Sequence, residues 1–403
     1  MPPSPTFAPL AHRAFLLAMA GVLVANIGNA IQAVGAAWQL TAAGEPADVV
    51  ALVQTALNLP ILLLALPAGA WADMFDRRRI ILTAQAAMLA LSLLLAALAW
   101  TAEPPAAAVI GLTALIACGI AAFSPAMGAS LRGTVPAPEL AAAVALNILI
   151  FNAARAVGPA LGGAVVAAGG AMTAFLGAAL SYLAALAIYA RWRPAPEPPR
   201  PRRALTAMIA EGLRHAAASR EIRTILLRAA TFTLAGAAAW ALMPLVANDL
   251  LGRGPSVYGL LLGALGLGAV IGAASATFFR ARFTAEAITR AAGVIYGLAI
   301  VGVSLQPPLA AMLALLVLAG AGWVQALSGF SVSAQLWAPR EIVGRIVALA
   351  SAVTFGGIAL GSWLWGHFAE SYGVAGALMA SGAAMVALPV LGLVVPMPAH
   401  KAT

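Results

Sequence analysis

The sequence predicts an all-α membrane protein whose twelve transmembrane helices form two pseudo-symmetric bundles of six. Composition is the first observation, because 63% of the 403 residues are hydrophobic and 9% are charged, whereas soluble domains carry about 25% charged residues. The second observation is a series of apolar runs of about 20 residues, the length at which a helix crosses a bilayer. The third is a weak repeat between the two halves of the chain, which indicates that the halves fold alike.

Twelve apolar runs are separated by short breaks that contain glycine, proline or charged residues. A β-barrel would instead show short segments of alternating polarity. The predicted spans are, in chain order, Ala14–Leu40, Val49–Ala72, Ile80–Trp100, Ala106–Leu131, Leu140–Ala168, Ala171–Ala190, Ile225–Ala247, Tyr258–Phe279, Ala287–Leu305, Leu309–Trp337, Val343–His367 and Val374–Val395.

Lysine and arginine concentrate on one side of these spans. Among the 22 basic residues, we place Arg253 in a loop on the opposite side and Arg155 within a span, and the others on the basic side. Arg78 and Arg79 are assigned to topology and to lipid headgroups. Because cytoplasmic loops carry the excess of Lys and Arg, we expect a multi-pass protein of the cytoplasmic (inner) membrane with both termini in the cytoplasm. The net charge of +9 then reflects topology, and we expect no nucleic-acid partner.

The proline- and arginine-rich interval 191–223 separates the spans six and six. We therefore expect an N-terminal six-helix bundle over 1–190, a basic cytoplasmic linker with an amphipathic helix over 191–223, and a C-terminal six-helix bundle over 224–403. A solvated linker beside anionic lipid is the main interpretation of this interval. A regulatory or partner-binding segment is the alternative.

Two short repeats relate the halves. The stretch "GAWADMFDR" at Gly69–Arg77 aligns with "GAASATFFR" at Gly272–Arg280, each at the end of the second span of its half. Likewise "GPALG" at Gly158–Gly162 aligns with "GIALG" at Gly357–Gly361, each in a fifth span. Parallel repeats with a site between the halves are typical of secondary transporters.

The charged stretch "GAWADMFDRRR", Gly69–Arg79, lies between the second and third spans. It resembles the loop signature of the major facilitator superfamily, Gly-x-Leu-Ala-Asp-Arg-x-Gly-Arg-Arg/Lys. The resemblance implies that Asp73 pairs with Arg77 and approaches Arg345 at the start of the eleventh span. An ion pair at a membrane boundary is strong when dry and weak when wet, so these residues would form a cytoplasmic gate. The predicted gate residues are Gly69, Asp73, Arg77 and Arg345, and a topology signal alone is the alternative.

The fifth span contains "GPALGG", which resembles the core of the superfamily's antiporter motif. Its residues Gly158, Pro159, Gly162 and Gly163 are expected to bend the span and to let it pack closely. The stretches "NIGNAIQ", "LNLP", "EGLRHAAASREIR" and "APREIVGRIVAL" resemble the secretion-effector branch of the superfamily, which includes enterobactin and macrolide exporters. The arginine usual in the fourth span of drug/proton antiporters is absent from "LTALIACGIAAFSPA".

Polar residues within the spans are candidates for a substrate cavity, because ionisable groups in a membrane are costly and usually functional. Arg155 is the clear ionisable case, and with Asn147 and Asn152 it would suit an anionic or polyhydroxylic substrate. Trp38 and Trp100 are assigned to the membrane interface. Each polar candidate has helix packing as its alternative role. The predicted cavity residues are Asn26, Asn29, Gln32, Asn58, Asn147, Asn152, Arg155, Trp240, Trp323, Gln325 and Gln335.

The resemblance implies a secondary active transporter that works by alternating access. We expect an exporter of small amphipathic molecules, such as a siderophore, a drug or another secondary metabolite, driven by the proton gradient and without a cofactor. An importer of an anionic metabolite and a non-transporting membrane partner or sensor are the alternatives. An enzyme is not expected, because no Gly-Lys-Ser/Thr loop, Ser-His-Asp set or metal-ligand spacing stands out in the sequence.

The expected partners are a small-molecule substrate and membrane lipids, with the chain acting as a monomer. The carrier of the coupling proton stays open, because none of the 13 acidic residues lies deep within a predicted span.

Overall fold

A computed structural model describes residues 7–101, 104–193, 205–339 and 342–398, apart from the side chains at positions 66, 73, 101 and 205–209. The side chain of the predicted gate residue Asp73 thus lies outside the described part. Most described residues are helical. The helices are α1 (Arg13–Ala42), α2 (Ala47–Met74), α3 (Arg77–Thr101), α4 (Ala106–Ser130), α5 (Leu140–Arg191), α6 (Leu205–Ala218), α7 (Arg220–Gly236), α8 (Ala238–Leu245), α9 (Pro255–Arg280), α10 (Ala285–Ser304), α11 (Leu309–Trp337) and α12 (Val343–Val394).

Two of these helices each contain two membrane spans. Helices α5 and α12 are 52 residues long, which as straight rods would measure about 78 Å, more than twice the hydrocarbon core of a bilayer. Helix α5 breaks at Gly169 and Gly170, and α12 breaks at Gly373. The φ angles of 77° at Gly170 and 74° at Gly373 are accessible to glycine without steric cost.

The described residues contain ten helical segments that are long and apolar enough to cross a membrane. Because α5 and α12 each contain two spans, these segments form twelve spans, which is the predicted number. Spans one to four are α1 to α4, and spans five and six are the two parts of α5. Span seven consists of α7, α8 and a π-helical turn over Val246–Leu250. Spans eight to ten are α9 to α11, and spans eleven and twelve are the two parts of α12.

Each half contains an even number of spans, so the start of α1, the linker helix α6 and the end of α12 lie on one face. We name this the linker face and its opposite the far face. Helix α6 connects the halves and contacts spans two, seven and eleven.

An arginine caps the end of the last span in each half. In the first half, Arg78 donates to the carbonyls of Ala190 (2.7 Å) and Trp192 (2.9 Å). In the second half, Arg290 donates to the carbonyl of Gly392 (2.9 Å). Helix C-termini present unpaired carbonyls and partial negative charge, which cations stabilise. Arg78, assigned to topology and headgroups from the sequence, is therefore also a structural cap.

The halves meet mainly through spans two and eleven and through spans five and eight. Spans five and eight touch backbone to backbone. A Cβ on Gly163 would lie 2.7 Å from the Cα of Gly259, and a Cβ on Gly266 would lie 2.5 Å from the Cα of Ala156. Glycine is required wherever two helix backbones approach so closely.

The other small residues of "GPALGG" face span one, within the first half. A Cβ on Gly158 would lie 2.6 Å from the Cβ of Ala30, and one on Gly162 would lie 3.0 Å from that of Val34. Pro159 lies within the same helix, and its carbonyl is 2.8 Å from where a Cβ on Gly259 would be. The motif thus joins span five to two neighbours at once.

Candidate functional site

The two halves are closely joined near the far face. At the start of span two, the Ala47 amide donates to Glu370 Oε2 at the end of span eleven (3.2 Å). Deeper in the membrane, Thr55 Oγ1 donates to the carbonyl of Ala359 (2.9 Å). Between these bonds, a Cβ on Gly366 would lie 3.1 Å from the Cα of Asp48. These contacts leave no room for a solute between spans two and eleven on this side.

Spans one and eight join the halves on the same side. The rings of Trp38 and Tyr258 stack with centroids 6.2 Å apart and planes at 22°. Tyr258 is buried and Trp38 is half-buried. Trp38, assigned to the membrane interface from the sequence, therefore packs between the halves instead.

Spans two and eleven, which touch near the far face, separate toward the linker face. A Cβ on Gly69 of span two, or on Gly344 of span eleven, would meet nothing within 4 Å. Nearby Trp71 is 38% exposed and Phe75 is 61% exposed. The halves are thus joined at the far face and open at the linker face.

Two of the predicted gate residues, Arg77 and Arg345, have described partners on different helices in this open state. Arg77 donates to the carbonyls of Ala72 (3.0 Å) and Ala129 (3.1 Å), which ties it to spans two and four. Arg345 instead forms an ion pair with Glu211 of the linker helix. The linker helix therefore holds the arginine that the resemblance places beside Asp73. Because that gate would close only in the opposite state, it stays a prediction.

Arg155 lies between the halves where spans five and eight begin to part. It immediately precedes Ala156, the residue that contacts Gly266 of span eight. Its guanidinium carbon is 5.8 Å from the ring centre of Phe151 on its own helix and 5.8 Å from that of Trp240 on span seven. The side chain is exposed, and among the described residues it has no hydrogen-bond or ion-pair partner. Arg155 is therefore available to a bound solute at the closed end of the opening.

Trp240 lies beside Arg155 at this point. It is half-buried, and its Nε1 is enclosed, with no hydrogen-bond partner among the described residues. Its ring packs against Trp323 at 6.1 Å, and Trp323 in turn packs against Phe232 (5.5 Å) and Tyr296 (5.4 Å). Trp240 thus forms the exposed edge of an aromatic core in the second half, whereas Trp323 is 2% exposed and lies inside that core.

The predicted polar residues of span one pack within the first half. Gln32 is fully buried and donates to Thr113 Oγ1 of span four (3.1 Å). Asn29 accepts from the Tyr182 hydroxyl (2.9 Å), and Asn26 donates to a carbonyl of its own helix. Gln32 and Asn29 thus connect span one to spans four and six, whereas Asn26 bonds within span one.

The remaining predicted amides are divided between packing and exposure. Asn58 is 9% exposed and donates to the Gln54 carbonyl (2.6 Å), and Gln325 is 9% exposed and donates to Ser275 Oγ of span eight (3.1 Å). Gln335 is exposed near the linker face, whereas Asn147 and Asn152 are half-buried. Asn152 donates to a carbonyl of its own helix and lies one turn from Arg155, which itself lies over the ring of Trp240.

One buried arginine, Arg228, was missed by the sequence analysis. Arg228 falls within the seventh predicted span, yet it was counted among the residues at span ends. It is 4% exposed and lies 3.3 Å from Glu286, which also pairs with Arg290 at 2.5 Å. Its position three residues after Ile225, the predicted start of the span, was the signal that could have revealed it.

This architecture, with two six-helix halves that meet at one face and part at the other, defines a membrane transporter of the alternating-access type. The chain belongs to the transmembrane secretion effector family of the major facilitator superfamily, and the family profile matches residues 4–403. It is 28% identical over 400 residues to multidrug efflux pump Tap of Mycolicibacterium fortuitum, covering 94% of this chain and 95% of that one. It is also 28% identical to the Mycobacterium tuberculosis protein of the same name, covering 94% and 91%.

Solved structures of major facilitator transporters share the fold. The nucleoside transporter NupG matches with a TM-score of 0.80 at 10% identity, covering 95% of this chain and 100% of that one. A bacterial homologue of the lysosomal transporter Spinster, in an inward-facing and unoccupied conformation, matches at 0.72 with 15% identity, covering 98% and 96%. The sequence-based expectations of this fold and of an exporter are confirmed.

Proposed function

We propose that this exporter takes small amphipathic molecules from the cytoplasm and releases them at the other side of the inner membrane. The observation that supports the proposal best is the pairing of Arg155 with Trp240 at the closed end of the opening. The site offers one guanidinium without a partner among the described residues and exposed aromatic surface. Such a site suits a solute with an aromatic or other apolar body and an acceptor group.

The direction of transport rests on the distribution of charge. Arg13, Arg191, Arg214 and Arg223 are all exposed on the linker face or at its helix ends. By the positive-inside rule this face is cytoplasmic, and so are both termini. The open side of the cavity would then collect solutes from the cytoplasm.

The substrate class follows from the cavity and from the relatives. Tap is named a multidrug efflux pump, and a site with one charge and several apolar surfaces distinguishes poorly among amphipathic molecules. Siderophores, drugs and other secondary metabolites all fit this description.

We further propose that the proton gradient drives export, since the sequence contains no nucleotide-binding loop. The chain acts as a monomer in contact with lipid, uses no cofactor and carries out no chemical conversion of its substrate.

The test is dye flux in proteoliposomes that contain the purified full-length protein. An imposed pH gradient should drive accumulation of an amphipathic fluorescent dye, and collapsing the gradient with a protonophore should stop it. Arg155→Ala should reduce the initial rate at least tenfold. The matched control is Arg282→Ala, because Arg282 also lies over an aromatic ring, Phe278 at 3.7 Å, but is exposed at a loop. Equal rates in the two variants would overturn the role of Arg155.

An importer of an anionic metabolite is the second candidate, and the unpaired charge of Arg155 is the observation that favours it. Import would appear in the same liposomes as uptake of an organic anion down its gradient, without accumulation of dye. A non-transporting membrane partner or sensor would show neither flux.

A further inference from the structure

Span two begins at the far face without a cap from the residue that precedes it. Helix α2 starts at Ala47, and Pro46 occupies the N-cap position without a side-chain capping bond. Ser, Thr, Asp or Asn usually caps a helix at this position, because the first four amides of a helix have no partner within it. Asp48 satisfies one of these amides, since its Oδ1 accepts from the Val49 amide (2.8 Å). The amide of Ala47 needs another acceptor.

The acceptor for that amide comes from the other half of the protein. Glu370, at the end of span eleven, accepts from the Ala47 amide through Oε2 at 3.2 Å. The carboxylate thereby lies at the positive end of the span-two helix dipole, where negative charge is stabilising. Glu370 is exposed and Ala47 is half-buried. A side chain of the second half thus caps a helix of the first half at the far-face surface.

The cap lies directly beside a contact between the two helices. One turn before Glu370, a Cβ on Gly366 would lie 3.1 Å from the Cα of Asp48 and would overlap the Cβ of Ala51. Residues four apart lie on the same face of a helix, so Glu370 and Gly366 both face span two. A hydrogen bond to Ala47 does not survive separation of these helices. The cap therefore exists only while the far face is shut.

Two neighbouring contacts between the halves carry no charge. Thr55 Oγ1 donates to the Ala359 carbonyl (2.9 Å), but a threonine hydroxyl can instead donate to the carbonyl four residues earlier in its own helix. Span eight begins with Pro255, which has no amide proton to cap, and a Cβ on Gly163 of span five would lie 2.7 Å from its carbonyl oxygen. Among the described hydrogen bonds, the bond to Glu370 is the one in which a charged side chain joins the halves at the far face.

We propose that Glu370 is a positioning residue of the transport cycle, which holds the far face shut by capping span two from the opposite half. Opening of the far face breaks the cap and leaves the Ala47 amide to water. The effect is modest because both groups are near water, and a charge at a helix N-terminus changes an equilibrium by about two- to fivefold. The proposal concerns the alternating-access motion alone and is independent of the exported solute and of the driving gradient.

The experiment measures how often the far face opens. Spin labels are attached to cysteines that replace Ala43 and Arg253, which are exposed at the far-face ends of spans one and seven, in purified full-length protein that carries Cys118→Ala. Pulsed electron resonance gives the distance distribution between the labels. Glu370→Ala should raise the ratio of far-face-open to far-face-closed molecules about two- to fivefold. Glu370→Gln keeps an acceptor oxygen in place and should raise this ratio less.

The matched control is Asp249→Ala. Asp249 is likewise an exposed acid of the second half at the far face, but its Oδ1 accepts from the side-chain amide of Asn248, its neighbour in the same turn (2.8 Å). Its removal breaks no bond between the halves, so the distance distribution should stay as in the wild type.

A second measurement at the linker face separates a role in the cycle from a role in stability. When the far face opens, the linker face closes, so a disulfide between cysteines at Gly69 and Gly344 should form about two- to fivefold faster in Glu370→Ala. This crosslink traps even rare closures. A residue that only stabilised the fold would lower the unfolding temperature without moving the two faces in opposite directions.

Four results would each overturn the proposal. The first two are an unchanged distance distribution in Glu370→Ala and an equal shift in Asp249→Ala. The third is a Glu370→Gln variant that is as open as Glu370→Ala, since the cap would then not depend on an acceptor. The fourth is a longer far-face distance with an unchanged crosslinking rate at the linker face, which would indicate local fraying of span eleven.

Discussion

Arg345, at the start of span eleven, is paired with Glu211 of the linker helix, and the backbone of that helix lies against it at Gly212, where a Cβ would be 3.4 Å from the Cβ of Arg345. The superfamily resemblance places the same guanidinium beside Asp73 when the cytoplasmic side is shut. One arginine cannot serve both carboxylates across an open cleft. We therefore expect the linker helix to compete with the predicted gate and to stabilise the open state.

Removing this competitor should favour the closed linker face. In Glu211→Gln the ion pair with Arg345 is lost, and because Glu211 is 48% exposed the effect should be modest, about two- to fivefold. The measurement is the rate of disulfide crosslinking between cysteines at Gly69 and Gly344 in a Cys118→Ala background, which should rise by that factor. Glu139→Gln is the control, since Glu139 pairs with His12 (3.0 Å) on the same face. An unchanged crosslinking rate would contradict the competition.

Neutralising the gate acid should have the opposite effect. Asp73→Asn removes the predicted partner of Arg77 and Arg345, so the closed linker face loses an ion pair made in a dry environment. We expect transport to fall about tenfold and the Gly69–Gly344 crosslink to form more slowly. Asp76→Asn is the control, because Asp76 accepts from the Arg79 amide (2.9 Å) and asparagine can cap a helix in the same way. If both variants transport equally, the cluster is only a topology signal.

The stacking of the planar Arg155 guanidinium can be tested separately from its positive charge. Arg155→Lys keeps the positive charge but loses the planar group that lies over Trp240 and Phe151. If stacking orders the site, KM for an amphipathic dye should rise about three- to tenfold with little change in kcat, because cation–π contacts contribute about 0.5–2 kcal/mol. Steady-state flux in proteoliposomes measures both constants. Wild-type KM in the lysine variant would show that charge alone matters.

The far-face closure depends on backbone contact between spans five and eight. Gly163→Ala would place a methyl group 2.7 Å from the Cα of Gly259, and neither backbone can move without parting the halves. We expect a several-fold loss of coupled transport, together with a faster leak of dye when no gradient is imposed. Gly128→Ala in span four is the control, since a Cβ there meets nothing within 4 Å and alanine favours a helix. Normal flux in Gly163→Ala would show that the contact is not needed.

The sequence analysis was reliable where a property depends on one helix and the bilayer. The break at Gly169–Gly170 was predicted from its two glycines although the surrounding stretch never becomes polar, and helix α5 breaks there. The sequence analysis was less informative about which side chains each polar residue contacts. Gln32 and Arg155 both appear as polar residues in apolar spans, yet Gln32 is bonded to Thr113 inside one half, while Arg155 lies between the halves.

The sequence by itself determined the twelve spans, the division into halves and the side of the membrane that carries the basic residues, because hydrophobic length and charge bias act on each segment separately. The tertiary structure alone decided which arginine is exposed and which is enclosed, since the surroundings of Arg155 and Arg228 are made by helices distant in the chain. It also decided that Arg345 binds the linker helix, because that choice depends on how far apart the two halves lie.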